Sequence, residues 1–502
     1  MKRCERRWRA GAGPGLLLAP LLALCIAVSV SCAEDCAEDE AHELSAKPPT
    51  TPPKTAMNSI VMISLDTTRP DHLSLYGYDG PTSPNLEALA ADGLVMQNFL
   101  TTSSWTLPTH ASLFTGLYPS THGAHYSNQG DVGLGDADGA PQSFDAFRVN
   151  RLPDEAITLA EILRAEGYLT YAVAAGPWFK PVFGLDQGFD HYDAAFDSLS
   201  GRPGNLVSDR AIGFIDHAGL DPFFLFLNYF DPHDPYEPHE SSWEQFLKPS
   251  KDFARSKELA LYDAEILFMD RQIGWVIDEL KARNHYDSSW IVVTSDHGEH
   301  FGEHDLEGHG FSLYEGVVRG VLIIKPPAGV ALEVDREIRA QSVDIMPTLL
   351  EAIGISLPHA IEGQALNALT HPAITELYRS AGNVQWKGER FQRELRAIYS
   401  GDYKLILSSK PGDFDAGLFD LKSDPGETHD LSNGQPEVLK TMSEALERWT
   451  AGRSTLPPSP VGKLDPETRR QMKALGYLDS DTDNDDDNNN DKDKDKESKR
   501  DP

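Results

Sequence analysis

Cysteine is nearly absent from this chain of 502 residues: it has four, at positions 4, 25, 32 and 36, and none after Cys36. Everything beyond that point must therefore fold without disulfides, without a thiolate nucleophile and without a cysteine metal site. Positive charge is also scarce, with 45 Lys and Arg against 78 Asp and Glu and a formal net charge of −33. Nucleic acid and anionic membrane surfaces are excluded as partners, because binding them needs clustered basic residues. A bound metal can still invert the field locally, so small anionic ligands are not excluded. Internal repeats are missing, and so are long apolar runs beyond the first thirty residues. Single cores rarely grow past about 250–300 residues, so this length predicts a large unit and a smaller one.

The one long apolar run, Gly15 to Val30, follows a basic start and ends in small residues at a cysteine, "SVSC". It reads as an export signal over residues 1–32, and it is shorter than the roughly 20 residues a spanning helix needs. "SVSC" resembles a bacterial lipoprotein signal with Cys32 as the lipidated residue; simple secretion and a Cys32–Cys36 disulfide are the alternatives. Location is expected in the periplasm or at the cell surface. Residues 33–56, charged and then rich in Pro and Thr, predict an extended tether. Residues 479–502, "SDTDNDDDNNNDKDKDKESKRDP" after Asp479, have nothing with which to build a core and predict a disordered tail. Their Asp spacing lacks the apolar and glycine framework of a calcium loop.

Between these ends, short apolar runs alternate with helical periodicity, which is the α/β signature. Strands are expected at Ser59–Leu65, Leu169–Ala175, Phe223–Phe230, Trp290–Ser295 and Gly320–Lys325, several apolar throughout, as in a mostly parallel sheet covered on both faces. Apolar residues three and four apart predict helices over 83–93, 158–167, 260–284 and 344–354. A catalytic unit over 57–375 and a C-terminal unit over 376–478, with a hairpin at 396–407, a strand pair around 417–427 and a helix over 436–450, complete the division.

Three strands run into polar residues: Asp66, then Asp231-Pro232-His233, then Asp296-His297. In a parallel sheet such ends converge on one crevice. The loop "TSDHGEHFGEHDLEGHG" crowds carboxylates and imidazoles among glycines, so Asp296 and His297 are read as metal ligands, joined by Asp66. "SSWTLPTHASLFTGLYP" opens a helix with Thr106, Pro108 and, past its end, Gly116. Ordinary helix punctuation with Thr106 as N-cap explains that stretch. So does a nucleophile at a helix N-terminus, where a metal and the backbone N–H groups both favour an anionic oxygen. With Thr106 as fourth ligand, the mixed oxygen and nitrogen set suits one divalent ion, manganese or zinc rather than calcium. His233 and His309 sit on loops where a proton donor to a leaving oxygen is needed. His300 and His304 have weaker claims, and Asp231 is expected to orient its loop rather than bind metal.

Taken in order, "ISLDTTRPDHLSLYGY", "WTLPTHASLFTGLYPSTHG", "FDPHDPYEP", "TSDHGEHFGEHDLEGHG", "LFDLKSDPGETHDL" and "KALGYL" resemble the sulfatase family within the alkaline phosphatase superfamily. The resemblance runs from about Ile60 to Leu478. It implies a large α/β sheet domain with a smaller C-terminal sheet subdomain. It also implies Asp66, Thr106, Asp296 and His297 at a metal, Thr106 as nucleophile, and His233 and His309 toward the leaving group. Two positions depart from the pattern: Thr67 stands where the family has a second aspartate and His110 where it has an arginine, both on the substrate-binding side. Classical members convert Cys or Ser at the Thr106 position to formylglycine, which threonine cannot become. The expected activity is metal-dependent hydrolysis of a small-molecule, glycan or lipid ester, with phosphodiester or phosphonate chemistry favoured. Sulfuric ester hydrolysis, head-group transfer and a silent binding module are the rival readings.

Overall fold

In the computed structural model, the described residues are 57–477 except 128–129, 131, 134–147, 197, 199, 238–242, 359–360, 381–383, 385–387, 460–463 and 476. The expected signal, tether and tail, Cys32 included, lie outside them. Among the described residues no helix is long and apolar enough to cross a membrane.

Seven strands make the main sheet. From one edge to the other they are Leu94–Val95, Leu322–Lys325, Ser289–Ser295, Ser59–Leu65, Phe223–Tyr229, Leu169–Val173 and His191–Asp193. The five from Ser289–Ser295 onward run parallel. Leu322–Lys325 is antiparallel to its neighbours on both sides.

The three seven-residue strands are buried at every position, and their alternation explains why. Ile60, Met62, Phe224 and Phe226 point into one core, whereas Val61, Ile63, Leu225 and Leu227 point into another. A period of two with both phases apolar is what a sheet packed on both faces requires. The first core is closed by the Thr106–Thr115 helix through Leu107, Ala111 and Phe114. The second is closed by the Phe253–Ala282 helix through Tyr262, Ile266, Met269 and Ile273. That long helix starts seven residues before the periodicity suggests, because the Asp252 side chain accepts a hydrogen bond from the Arg255 N–H and caps an additional two polar turns.

A second, four-stranded antiparallel sheet is formed by Ile374–Leu377, Leu395–Ser400, Tyr403–Ser408 and Gly417–Asp420. The Pro436–Ala451 helix lays Met442 and Leu446 on Ile398, Leu405 and Leu418. Val438, Leu439, Ala445 and Trp449 pack half-buried beside them while the opposite face is exposed, as expected for a surface helix.

The run expected as one strand over Gly320–Lys325 is in fact shared. Arg319–Gly320 pairs with Phe99–Leu100 in a separate three-stranded sheet, Val321 breaks the pairing, and only Leu322–Lys325 joins the main one. The Val321 N–H donates to Ser295 Oγ at 2.8 Å, which pins this crossover to the strand that ends at Asp296.

Candidate metal centre and catalytic cleft

The sheet delivers two carboxylates and an imidazole to one point. Asp66 follows Ser59–Leu65, and Asp296 and His297 follow the adjacent strand Ser289–Ser295, whose register pairs Leu65 with Ser295. One ligand atom from each of the three lies within 4.8 Å of the others. All three side chains are buried. His297 Nδ1–H donates to the Gly298 carbonyl at 3.0 Å. That bond fixes the tautomer and leaves Nε2 as a lone pair. Nε2 lies 3.3 Å from Asp296 Oδ2, 3.9 Å from Asp66 Oδ1 and 3.3 Å from Thr106 Oγ1. Two ligands about 2.1 Å from a tetrahedral ion lie about 3.4 Å apart, so these separations fit an ion at the centre.

The unpaired atoms agree. Both carboxylate oxygens of Asp66 and Oδ2 of Asp296 are buried without a hydrogen-bond partner among the described residues. Burial, and for Asp66 the neighbouring Asp296, push both carboxyls well above their ordinary range. His297 is held well below its own by burial and then by His309. Asp296 Oδ1 is satisfied by the His297 and Thr67 N–H groups, and the three carboxylate oxygens left without a donor are costly to bury unless a cation sits among them.

Thr106 is not the helix cap. The N-cap is Trp105, in extended conformation and with no side-chain capping bond; Thr106 is the first helical residue and turns its hydroxyl to His297. Gly116 ends the helix at φ 66°, as the sequence suggests. Every residue of this helix is buried, which holds Thr106 to one position. One turn on, His110 Nδ1–H donates to the Thr106 carbonyl at 2.8 Å, and Nε2 accepts from Ser64 Oγ at 2.8 Å. Both nitrogens are used within the protein, and burial lowers this imidazole to about 4. His110 thus ties the helix to the first strand, a placement different from the substrate contact expected of it.

Thr67 also faces the protein. Its backbone is left-handed at φ 49°, its N–H donates to Asp296 Oδ1 at 3.3 Å, and its hydroxyl donates to the Pro232 carbonyl at 2.6 Å. A β-branched residue adopts that conformation only when its surroundings enforce it. Here the result is a loop that orients Asp296. Asp231 accepts from the Gly204 N–H at 2.8 Å, at the start of the Gly204–Ala218 helix, apart from the metal cluster.

His233 and His309 stand on the open side, their rings 5.1 Å apart, with His309 4.4 Å from His297. His309 Nδ1 faces Glu299 at 3.1 Å, and His233 Nδ1–H donates to the Asp234 carbonyl at 2.6 Å. A phenol closes the row: Tyr477 OH donates to His233 Nε2 at 2.6 Å and lies 3.4 Å from His309 Nε2. The Pro466–Ala474 helix brings it there. That helix is capped by Asp465 and anchored by Met472 in the core, and the Tyr477 ring lies edge-on to Trp178 at 5.3 Å. His300 is bound through Nε2 to Ser312 Oγ at 2.7 Å, and His304 stacks on Tyr314 at 3.6 Å. Neither joins the metal cluster.

Residues 58–355 match the family model described as sulfatase, and 302–451 match one described as N-sulphoglucosamine sulphohydrolase, C-terminal. The chain belongs to the sulfatase family. It is 24% identical to the uncharacterised sulfatase YidJ of Escherichia coli K12, over 77% of this chain and 86% of that protein. It is also 24% identical to an arylsulfatase of Clostridium perfringens, over 81% and 98%. Its fold matches that of the phosphonate monoester hydrolase of Agrobacterium radiobacter with a TM-score of 0.60 at 19% identity, covering 79% and 96%.

For a sulfatase, the residues that sequence reasoning passes over are Tyr477 and Glu299. Glu299 directly follows His297-Gly298, so proximity to a ligand pair was a usable signal. Tyr477 had only its place in "KALGYL".

Proposed function

We propose that this sulfatase-family chain is a metal-dependent ester hydrolase with Thr106 as nucleophile, favouring phosphodiesters or phosphonate monoesters over sulfate esters. The observation carrying this reading is the position of Thr106 Oγ1, 3.3 Å from His297 Nε2, whose imidazole is grouped with the unpartnered carboxylate oxygens of Asp66 and Asp296. Asp66, Asp296, His297 and Thr106 would hold one divalent ion, and that donor set favours manganese or zinc over calcium. When bound, such an ion lowers the pKa of an alcohol and offsets charge on the oxygens of the transferred group.

The residues divide the remaining work. Thr106, held on a fully buried helix, gives up its hydroxyl proton to solvent and attacks phosphorus in line; a new O–P bond forms and the bond to the leaving oxygen breaks. The leaving oxygen takes its proton on the side of His233, Tyr477 and His309. Water then attacks the same phosphorus and frees Thr106. A threonine ester cannot collapse to an aldehyde, so the second step is a direct displacement. Sulfate esters, whose release in classical members uses that collapse, are for this reason the poorer substrates. A small-molecule, glycan or lipid ester is the substrate class, and nucleic acid is not. Export through the signal and anchorage at Cys32 complete the proposal; lipid labelling lost in Cys32→Ala checks the anchor.

The deciding experiment is turnover by the purified protein, stripped of metal and reloaded, on an aryl sulfate, a phosphate monoester, a phosphodiester and a phosphonate monoester. Faster turnover of the last two, with an unmodified threonine in the Thr106 peptide by mass spectrometry, is expected. A strong preference for the aryl sulfate overturns the reading.

A further inference from the structure

A cavity of about 300 Å³ is lined by His233 and His309. It has room for a small leaving group. One set of walls is aromatic: Trp105, Tyr126, Tyr236, Phe311 and Tyr477. Trp105 and Tyr126 stack at 4.2 Å and 15°, giving one rigid apolar face. The other walls carry Asp234, Glu258, Glu299 and Glu307.

Among the described residues no lysine or arginine lines this space. The chain as a whole has 45 basic residues to 78 acidic ones, so four acids would ordinarily be accompanied by about two bases. Arg255 stands behind the wall, 2.6 Å from Glu258 and ion-paired also with Glu307, and offsets one carboxylate of the four. Burial, and then Glu307, Asp234 and Glu299 against the opposing pull of Arg255, raise the Glu258 carboxyl. Burial and Glu299 do the same to Asp234. The acids therefore act on one another across the cavity. A second polar group is unspent: Trp105 is 2% exposed and its indole N–H has no partner among the described residues.

Aromatic faces and carboxylates together favour an organic cation, whose charge the ring faces attract and whose methyl groups they cover. A leaving group with a further anion would meet four carboxylates and, apart from the imidazoles of His233, His300 and His309, no basic side chain among the described lining residues. We propose that the cavity receives the leaving part of the ester as an alcohol bearing a quaternary or alkylated ammonium group, and that it excludes leaving groups with a second negative charge. This rests on the hydrolase reading for the reaction, but not for the binding.

Two measurements on the full-length protein separate the two. Calorimetric titration with (2-hydroxyethyl)trimethylammonium, its neutral isostere 3,3-dimethylbutan-1-ol and 3-hydroxypropanoate reads the cavity alone. The cation should bind about tenfold more tightly than the isostere, the scale of one desolvated cation–aromatic contact. The anion should bind most weakly. In the double variant Glu258→Gln, Glu307→Gln the advantage of the cation should shrink to about threefold or less. Equal or tighter binding of the neutral or anionic alcohol overturns the proposal. Kinetics on methyl phosphodiesters and sulfates of the same three alcohols read the reaction. Turnover without preference for the cationic ester sinks this proposal and spares the hydrolase. Selective binding of the cation with no turnover of any ester sinks the hydrolase and spares the cavity.

Discussion

The two sides of the cleft are built in different ways. On the metal side, Asp66, Asp296 and His297 extend directly from adjacent strands of the main sheet, and Thr106 sits on a helix buried along its whole length. On the proposed leaving-group side, His233, His309 and Tyr477 come from two loops and from the segment after the last described helix, and they meet through the Tyr477 hydroxyl and through ring contact. On the proposed mechanism, the sheet fixes the groups that would hold the ion, while loops supply those that would meet the leaving group. Chemistry is thus anchored and selectivity is adjustable, an arrangement open to many reactions on one frame.

If that contrast is right, damage on the metal side should be catastrophic and damage on the other graded. Thr106→Ala should cost roughly 10⁴–10⁶-fold in kcat, the range for removing a nucleophile, while Thr106→Ser keeps measurable turnover. An active Thr106→Ala enzyme would break the comparison at its strongest point.

Next in size is metal retention. Asp296→Ala should lose the ion in elemental analysis of the purified protein. Asp231→Ala should keep it, because Asp231 serves the Gly204 N–H instead.

Tyr477→Phe tests the opposite wall, and about a tenfold drop in kcat/KM is expected, in line with one lost hydrogen bond. The loss should be larger for poor alkoxide leaving groups than for nitrophenolate. A uniform loss across leaving groups would reduce Tyr477 to packing.

A smaller, global effect concerns acid. His122 is buried and held at about 3, by burial and then by His125. Its folded value lies below the unfolded one, so its contribution to stability is complete above about pH 6.5 and is lost as pH falls toward 3. Denaturant titrations of His122→Asn should show a flatter decline across that window than the parent. Smallest of all, truncation after Asp479 should leave turnover and Tm within error.

Legibility in the sequence follows the same split. Asp66, Asp296 and His297 were readable because each closes an apolar run, and strand ends in a parallel sheet converge by geometry alone. Thr106 was read as nucleophile and fourth ligand against the plainer reading of a helix cap, and in the structure it is the first helical residue rather than the cap. Threonine is a good cap, and only the tertiary position of His297 shows that the hydroxyl is used elsewhere. His110 and Thr67 were assigned to substrate because sequence indicates which loop a residue occupies but not which way it turns. The division at Val321 was hidden inside one apolar run, since local pattern carries no information on which of two sheets will claim each half. Tyr477 lies 168 residues beyond His309, and nothing local announces contact over that distance.

That last contact also has a bearing on how the protein is made. Synthesis proceeds from the N-terminus, so Asp66, Thr106, Asp296 and His297 leave the ribosome long before residue 477. A nascent or clipped chain ending ahead of the Pro466–Ala474 helix would already contain every proposed ligand and the nucleophile, yet the wall formed by Leu475 and Tyr477 would be missing. On the proposed mechanism, the order of translation would thereby separate the appearance of the ligands from completion of the wall, which waits for residue 477.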